Sequence, residues 1–202
     1  MKTHKFLPIF IAIFTLGLCS AELFAQIQSP QPSPAASVTQ KVGFTNITIE
    51  YSSPGVKGRK VFGELQKFGT TWRAGANQAT KITFSTDVKV GGKDLNAGSY
   101  SISIKPVKSG DWTIYLHGDG KSISNYMSQG KVDETKLEAE AAAKISATPK
   151  SLSDAVERLV YVVSAEDNKT GKVSMAWDKT MVSFDVDTNP EGIIEGFKGS
   201  FK

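Results

Sequence analysis

The chain reads as all-β: an antiparallel β-sandwich of about eight to ten short strands with one or two short helical turns. Three observations predict this. Apolar residues recur at every second position in segment after segment. Turn-forming residues separate those segments, as hairpins require. A composition of 40% hydrophobic and 22% charged residues suits a buried core, and fits neither a coiled coil nor a disordered tail.

The elements follow in order. Ile47, Ile49 and Tyr51 alternate with Thr48 and Glu50, and Ile82 and Phe84 flank Thr83. Val88 and Val90 lead into Gly91-Gly92, a two-residue hairpin signal, followed by Lys93-Asp94-Leu95. Tyr100, Ile102 and Ile104 form one alternating set and Trp112, Ile114 and Leu116 the next. Late in the chain come three more: Leu159, Tyr161 and Val163; Val173, Met175 and Trp177; and Val182, Phe184 and Val186. Asp167 to Gly171 reads as a polar hairpin loop. Two places break the rhythm. Val61, Phe62, Leu65 and Phe68 have helical spacing, which predicts a short helix or 3₁₀ turn between Arg59 and Phe68. Asp133 to Lys144 is rich in helix formers but runs into Ile145-Ser146-Ala147-Thr148-Pro149. The prediction there is a helical turn near Asp133 to Glu138, then a strand from about Ala142 to Thr148, held extended by the proline. Gly118 to Gly130 reads as a polar loop.

The ends read differently. Lys2 and Lys5 precede a nearly uninterrupted apolar run from Phe6 to Leu18, the layout of a secretory signal and too short for a bilayer span of about 20 residues. Cleavage after Ala25 is expected. The competing reading, a lipoprotein acylated at Cys19, is disfavoured by Leu18, which stands where that processing wants a small residue. The expected organisation is therefore a signal peptide at 1–25, a Pro/Ser-rich linker at 26–36, the sandwich at 37–188 and a Gly-rich tail at 189–202 carrying Phe197 and Phe201. This makes the chain exported, periplasmic or extracellular, with no transmembrane segment after signal removal.

Composition excludes several function classes. With 24 Lys+Arg against 20 Asp+Glu in 202 residues, the net charge is +4, and no basic run tracks a phosphate backbone, so nucleic acid is not an expected partner. Export would leave His117 as the only histidine and no cysteine. Thiol nucleophiles, disulfides and Cys/His metal sites go together, and neither a metal nor a cofactor is predicted. Gly120-Lys121-Ser122 lacks the upstream glycine of a phosphate-binding loop. Asp185-Val186-Asp187-Thr188-Asn189 starts like a calcium loop but has Pro190 where the loop needs glycine. His117 falls at a strand end before Gly118-Asp119-Gly120, where a solvated loop-edge histidine is expected ahead of a catalytic base.

One constellation stands out. Ser53 to Lys60, Val61 to Leu65 and Thr71 to Asn77 place Arg59, Trp72, Arg73 and Asn77 inside a Gly-rich connection between strands. Arginine forks and tryptophan faces bind carboxylates, phosphates and sugars, and Gly75 permits close backbone approach. The alternative is architectural: Trp72 plugs the core, Arg59 and Arg73 cap carbonyls or pair with Glu50 and Glu64, and Asn77 closes a turn.

Four motifs in these segments, Ser-Pro-x-Val-Lys-Gly-Arg (53–59), Phe-Gly-x-Leu (62–65), Trp-Arg-x-Gly-Ala-Asn (72–77) and Leu-x-Ala-Gly-x-Tyr-Ser (95–101), are shared with a known family. With Trp177 to Phe184 as a closing motif, the chain resembles the exported bacterial family catalogued as domain of unknown function 2911, from about Pro34 to Asp187. The resemblance implies an all-β secreted domain and no assigned reaction. The loop at Gly118 to Gly130 and the tail after Thr188 depart from the pattern.

Three functions remain open. The first is a non-catalytic module binding a small anionic or glycan-like ligand through Arg59, Trp72, Arg73, Asn77 and His117. The second is a structural module docking an envelope protein, with Phe197 and Phe201 as anchors. The third is a hydrolase using carboxylates or His117.

Overall fold

The structure, a computed structural model, describes residues 29–201; the apolar run, Cys19 and the cleavage point after Ala25 lie outside them. Twelve strands occur among the described residues. In chain order they are β1 (Ala35–Val42), β2 (Thr45–Ser52), β3 (Lys81–Phe84), β4 (Val88–Val90), β5 (Lys93–Leu95), β6 (Gly98–Lys105), β7 (Trp112–His117), β8 (Met127–Ser128), β9 (Lys131–Val132), β10 (Ala143–Ala147), β11 (Lys150–Ala165) and β12 (Thr170–Asp187). A 3₁₀ turn spans Ile123–Tyr126, and two helices follow, α1 (Glu134–Ala139) and α2 (Pro190–Gly199). The strands form a six-stranded sheet, β1-β2-β3-β6-β7-β10, a four-stranded sheet, β11-β12-β4-β5, and the small hairpin β8-β9. The predicted all-β, antiparallel architecture is the observed one.

Alternation does the work the sequence promised. Ile47, Ile49, Ile82, Phe84, Ile102, Ile104, Ile114 and Leu116 of the first sheet meet Leu159, Tyr161, Val163, Val173, Met175, Trp177, Val182 and Phe184 of the second in one buried core. The last two apolar sets belong to one strand rather than two. Along β12 the buried positions are odd through Trp177 and even from Val182 onward. A period-two element changes parity only where a residue is inserted. Asp178 sits there in the left-handed region (φ 52°), beside register shifts in the β11–β12 ladder.

Other expectations are corrected. Arg59 to Phe68 is not helical: Gly63 takes φ 97°, and its N–H bonds back to Gln66 O at 2.8 Å. The chain folds into tight turns instead, burying Val61 and leaving Leu65 and Phe68 largely exposed. The apolar spacing there never formed one face. Gly118 to Gly130 is not simply a polar loop, because its 3₁₀ turn buries Ile123 and Tyr126, the spacing at which 3₁₀ side chains eclipse. In the Gly-rich tail, Asn189 caps α2 by accepting from Gly192 N at 3.3 Å, with Pro190 pre-set for the first helical position. The predicted turn at Asp133 to Glu138 and the following strand are found as α1 and β10. The end of the proline-spaced segment is tied down: Pro34 O accepts from Ser53 N at 2.8 Å.

The outer face of the six-stranded sheet is not left to solvent. On β7, Ile114 and Leu116 point into the core. Tyr115 and His117 point the other way, and residues 118–142 fold over them. Tyr115, Ile123, Tyr126 and Leu137 form a second, smaller apolar cluster there, with Val132 and Ala141 against it.

Candidate functional site

The segment after the tight turns continues the sheet alongside β6. Trp72 N–H donates to Ile104 O and Ile104 N–H to Trp72 O, each at 2.9 Å. This turns the Trp72 ring inward. It is 7% exposed and packs with Trp177 (centroids 5.6 Å) and Phe62 (6.3 Å), while Phe62 also meets Trp112 at 4.6 Å. The chain then turns sharply. Ala74 and Asn77 both occupy left-handed backbone, at φ 53° and 52°, a conformation costing a non-glycine residue about 1–2 kcal/mol. Ala74 is held there by its carbonyl, which accepts from Tyr161 Oη at 2.9 Å and Thr80 Oγ1 at 3.1 Å. Gly75 is required for close approach: a Cβ there would lie 2.5 Å from Thr80 Oγ1.

Facing this segment is the 3₁₀ turn, the β8–β9 hairpin and the start of α1. Gln129 and Gly130 turn the hairpin with φ 50° and 75°, the left-handed pair a two-residue connection needs. One carboxylate joins the two sides. Thr71 N–H donates to Glu134 Oε1 at 2.8 Å, Thr71 Oγ1 donates to Oε2 at 2.6 Å, and Lys105 Nζ lies 3.2 Å from Oε2. Between the sides lies a cleft of about 790 Å³, within the usual range for small-ligand sites. Trp72, Ile123, Met127 and Val132 supply its apolar surface, and Lys67, Arg73, Asn77 and Lys131 its polar rim.

The five sequence candidates separate. Trp72, Arg73 and Asn77 line the cleft. Arg59 does not; its Nε donates to Val56 O at 3.0 Å and its Nη2 to Gly55 O at 2.6 Å, the carbonyl-capping role. Arg73 is held in the same way, by Asn77 O at 2.5 Å, and Asn77 Nδ2 donates to Ser33 O at 3.0 Å. Neither arginine pairs with Glu50 or Glu64; Glu64 takes Lys60 instead, at 3.4 Å. His117 is not the solvated loop-edge residue expected. It is 1% exposed, because the covering segment brings the Tyr126 ring to 5.0 Å from it. Sequence reasoning missed the entire second wall. Its one signal was Ile123 and Tyr126, two large apolar side chains three apart in an otherwise polar stretch.

Several groups with shifted titration lie under that wall. Burial, with Glu138 and Glu134 adding, pushes the Tyr115 phenol up to about 12. Burial holds His117 below the ordinary histidine value, opposed by Glu140 and reinforced by Lys121. The hydrogen bond from Lys121 keeps Glu140 low.

Fold and cleft together define a β-sandwich domain with one cation-rimmed groove beside its larger sheet. The chain belongs to the family described as protein of unknown function (DUF2911), whose model matches residues 33–186. No curated protein and no solved structure matches it. Both walls of the cleft fall inside the matched region, and α2 lies beyond it.

Proposed function

We propose that this chain is an exported, non-catalytic module that holds a small anionic ligand, sugar acids included, in the cleft between Thr71–Asn77 and Ile123–Glu134. One observation carries the reading: Lys67, Arg73 and Lys131 rim the same cleft, and none of the three forms an ion pair among the described residues. The carboxylate at this cleft, Glu134, is already satisfied by Thr71 and Lys105. Unbalanced positive charge beside an apolar wall favours a ligand that brings a negative group and a nonpolar or ring face. The export half of the proposal is supported by the basic start and apolar run before Ala25. Among the described residues, no helix is long and apolar enough to cross a membrane.

The test is a thermal-shift series at neutral pH with glucuronate, citrate and glucose as probes. Saturating binding at 100 times Kd adds about 2.7 kcal/mol, several degrees in a domain of this size. Glucuronate or citrate should raise the melting temperature of the wild type, glucose should not, and Arg73→Ala and Lys131→Ala should each blunt the shift. A wild type unmoved by either acid, or variants shifted as much as the wild type, would remove the reading.

A second reading rests on α2. Phe197 and Phe201 stack edge-on at 4.9 Å with 67% and 76% of their surface exposed, and the helix buries none of its residues. Such a pair suits an anchor for another protein. Deleting residues 190–202 should then abolish capture of envelope partners without lowering the melting temperature.

A further inference from the structure

We propose that neutral His117, acting through the Tyr126 hydroxyl, is a pH-sensitive latch on the second wall of the cleft, so that acidification loosens residues 121–134 and lowers ligand retention. The inference rests on the binding reading above, because it concerns the regulation of that same cleft.

The geometry is a short polar chain under an apolar roof. Tyr126 Oη lies 3.3 Å from His117 Nδ1 and 3.3 Å from Glu140 Oε2, and the same Oε2 accepts from Lys121 Nζ at 3.1 Å. A tyrosine hydroxyl has one proton to give. If Nδ1 were an acceptor, that proton would have to serve both the imidazole and the carboxylate. If Nδ1 carries the imidazole proton, the chain runs one way: Nδ1–H donates to Tyr126 Oη, whose O–H donates to Glu140. The satisfied arrangement is therefore the Nδ1–H tautomer. His117 Nε2 is then a bare lone pair, buried and without a hydrogen-bond partner among the described residues.

Protonating Nε2 is what the site is built to resist. It would place a positive charge in a buried site, and the cost of that burial outweighs what the Glu140 main chain and carboxylate offer it. The groups facing the imidazole come from several elements. From its own strand Tyr115 stacks at 6.3 Å, and across the ladder Ser101 is its register partner. Tyr126 comes from the 3₁₀ turn. Lys121, on the loop after β7, repels a second cation. Glu140, just after α1, favours one through its main chain and, more weakly, through a carboxylate already paired with Lys121. Burial is the largest influence and keeps the closed-state imidazole neutral.

The consequence for the cleft follows from Tyr126's position. It packs in one cluster with Ile123 and Leu137, with Val132 against them, and Ile123 and Val132 face the cleft. The main chain continues the connection, since Asp133 N–H donates to Tyr126 O at 2.8 Å. Opening this segment exposes His117, which then titrates near its ordinary value of 6.5. The open form takes up a proton that the closed form refuses, so falling pH favours opening. The gain is bounded by about tenfold per pH unit, from 6.5 down to the depressed closed-state value.

Amide hydrogen exchange on the full chain, without ligand and corrected for intrinsic rates, tests this between about pH 7.5 and about pH 5. Peptides covering residues 121–134 should lose protection several-fold in the wild type, while those of β12 keep theirs. His117→Gln should be flat across the same range. A flat wild type, or a variant as pH-dependent as the wild type, overturns the latch. Should His117→Gln fail to fold, nitrogen NMR of the histidine-labelled full chain decides, with His4 assigned by His4→Gln. A neutral Nδ1–H form titrating well below 6.5 supports the latch, and an Nε2–H form or an ordinary titration overturns it. Because neither measurement uses a ligand, their failure leaves the glucuronate result standing, and a failed glucuronate shift leaves theirs.

Discussion

The two walls of the cleft are built on different foundations. The Thr71–Asn77 wall grows out of the main core: Trp72 is hydrogen-bonded into the sheet on both sides of its peptide and wedged against Trp177 and Phe62. Its strained Ala74 is pinned by two buried hydroxyls. The Ile123–Glu134 wall stands on four buried residues, Tyr115, Ile123, Tyr126 and Leu137. Its only sheet is a hairpin of two-residue strands outside both large sheets, and a polar chain through His117 runs beneath it. One wall rests on the main core and the other on the small cluster, so the first should open only with the whole domain and the second at a smaller cost. For the ligand proposed above, one fixed and one adjustable side would position it and still release it.

The largest expected effect breaks the fixed foundation. Trp177 is fully buried and touches Phe62 and Trp72, so Trp177→Ala should cost about 3–5 kcal/mol. Both walls should be lost in one transition, read by denaturant melting. The next effect separates the walls. Leu137 is fully buried but belongs to the small cluster, and Leu137→Ala carries a nominal cost of about 2–5 kcal/mol. It should appear chiefly as faster amide exchange in residues 121–142, with a much smaller change in the global melt. Equal loss of protection in β12 would show that the walls are one cooperative unit.

This division also explains what could be read beforehand. The sandwich was legible because a half-buried strand writes its burial at every second residue, and Ile47/Ile49, Ile102/Ile104 and Val173/Met175/Trp177 do so. The parity change at Asp178 was not, since an inserted residue looks like the end of one strand and the start of another. The fixed wall was visible as a Gly-rich stretch holding Trp72, Arg73 and Asn77. The adjustable wall was not, because Tyr115 and His117 alternate with Ile114 and Leu116 as residues of a solvated face would. Nothing local says that the segment from Ile123 to Ala141 folds back to cover that face. Arg59 misled for a related reason: its fork is spent on carbonyls three and four residues earlier, and spacing does not distinguish a cap from a ligand contact.

The smallest effect concerns the joint between the walls. Glu134 accepts from Thr71 twice, through N–H and hydroxyl, and from Lys105 at 3.2 Å. Its side chain retains 27% of its exposure, so solvent screening reduces what the charge contributes. Glu134→Ala removes both acceptors at once, leaving the Thr71 N–H, the Thr71 hydroxyl and the Lys105 ammonium without this partner. The global cost should be about 1 kcal/mol. The more informative readout is local: the Thr71 amide should lose protection while that of Trp72, bonded to Ile104, keeps it. Thr71→Val provides the complementary break, removing the hydroxyl bond and leaving the carboxylate its N–H partner. If Glu134→Ala leaves Thr71 protected and the glucuronate response intact, the carboxylate does not clamp the walls together, and the adjustable side is held by its apolar cluster alone.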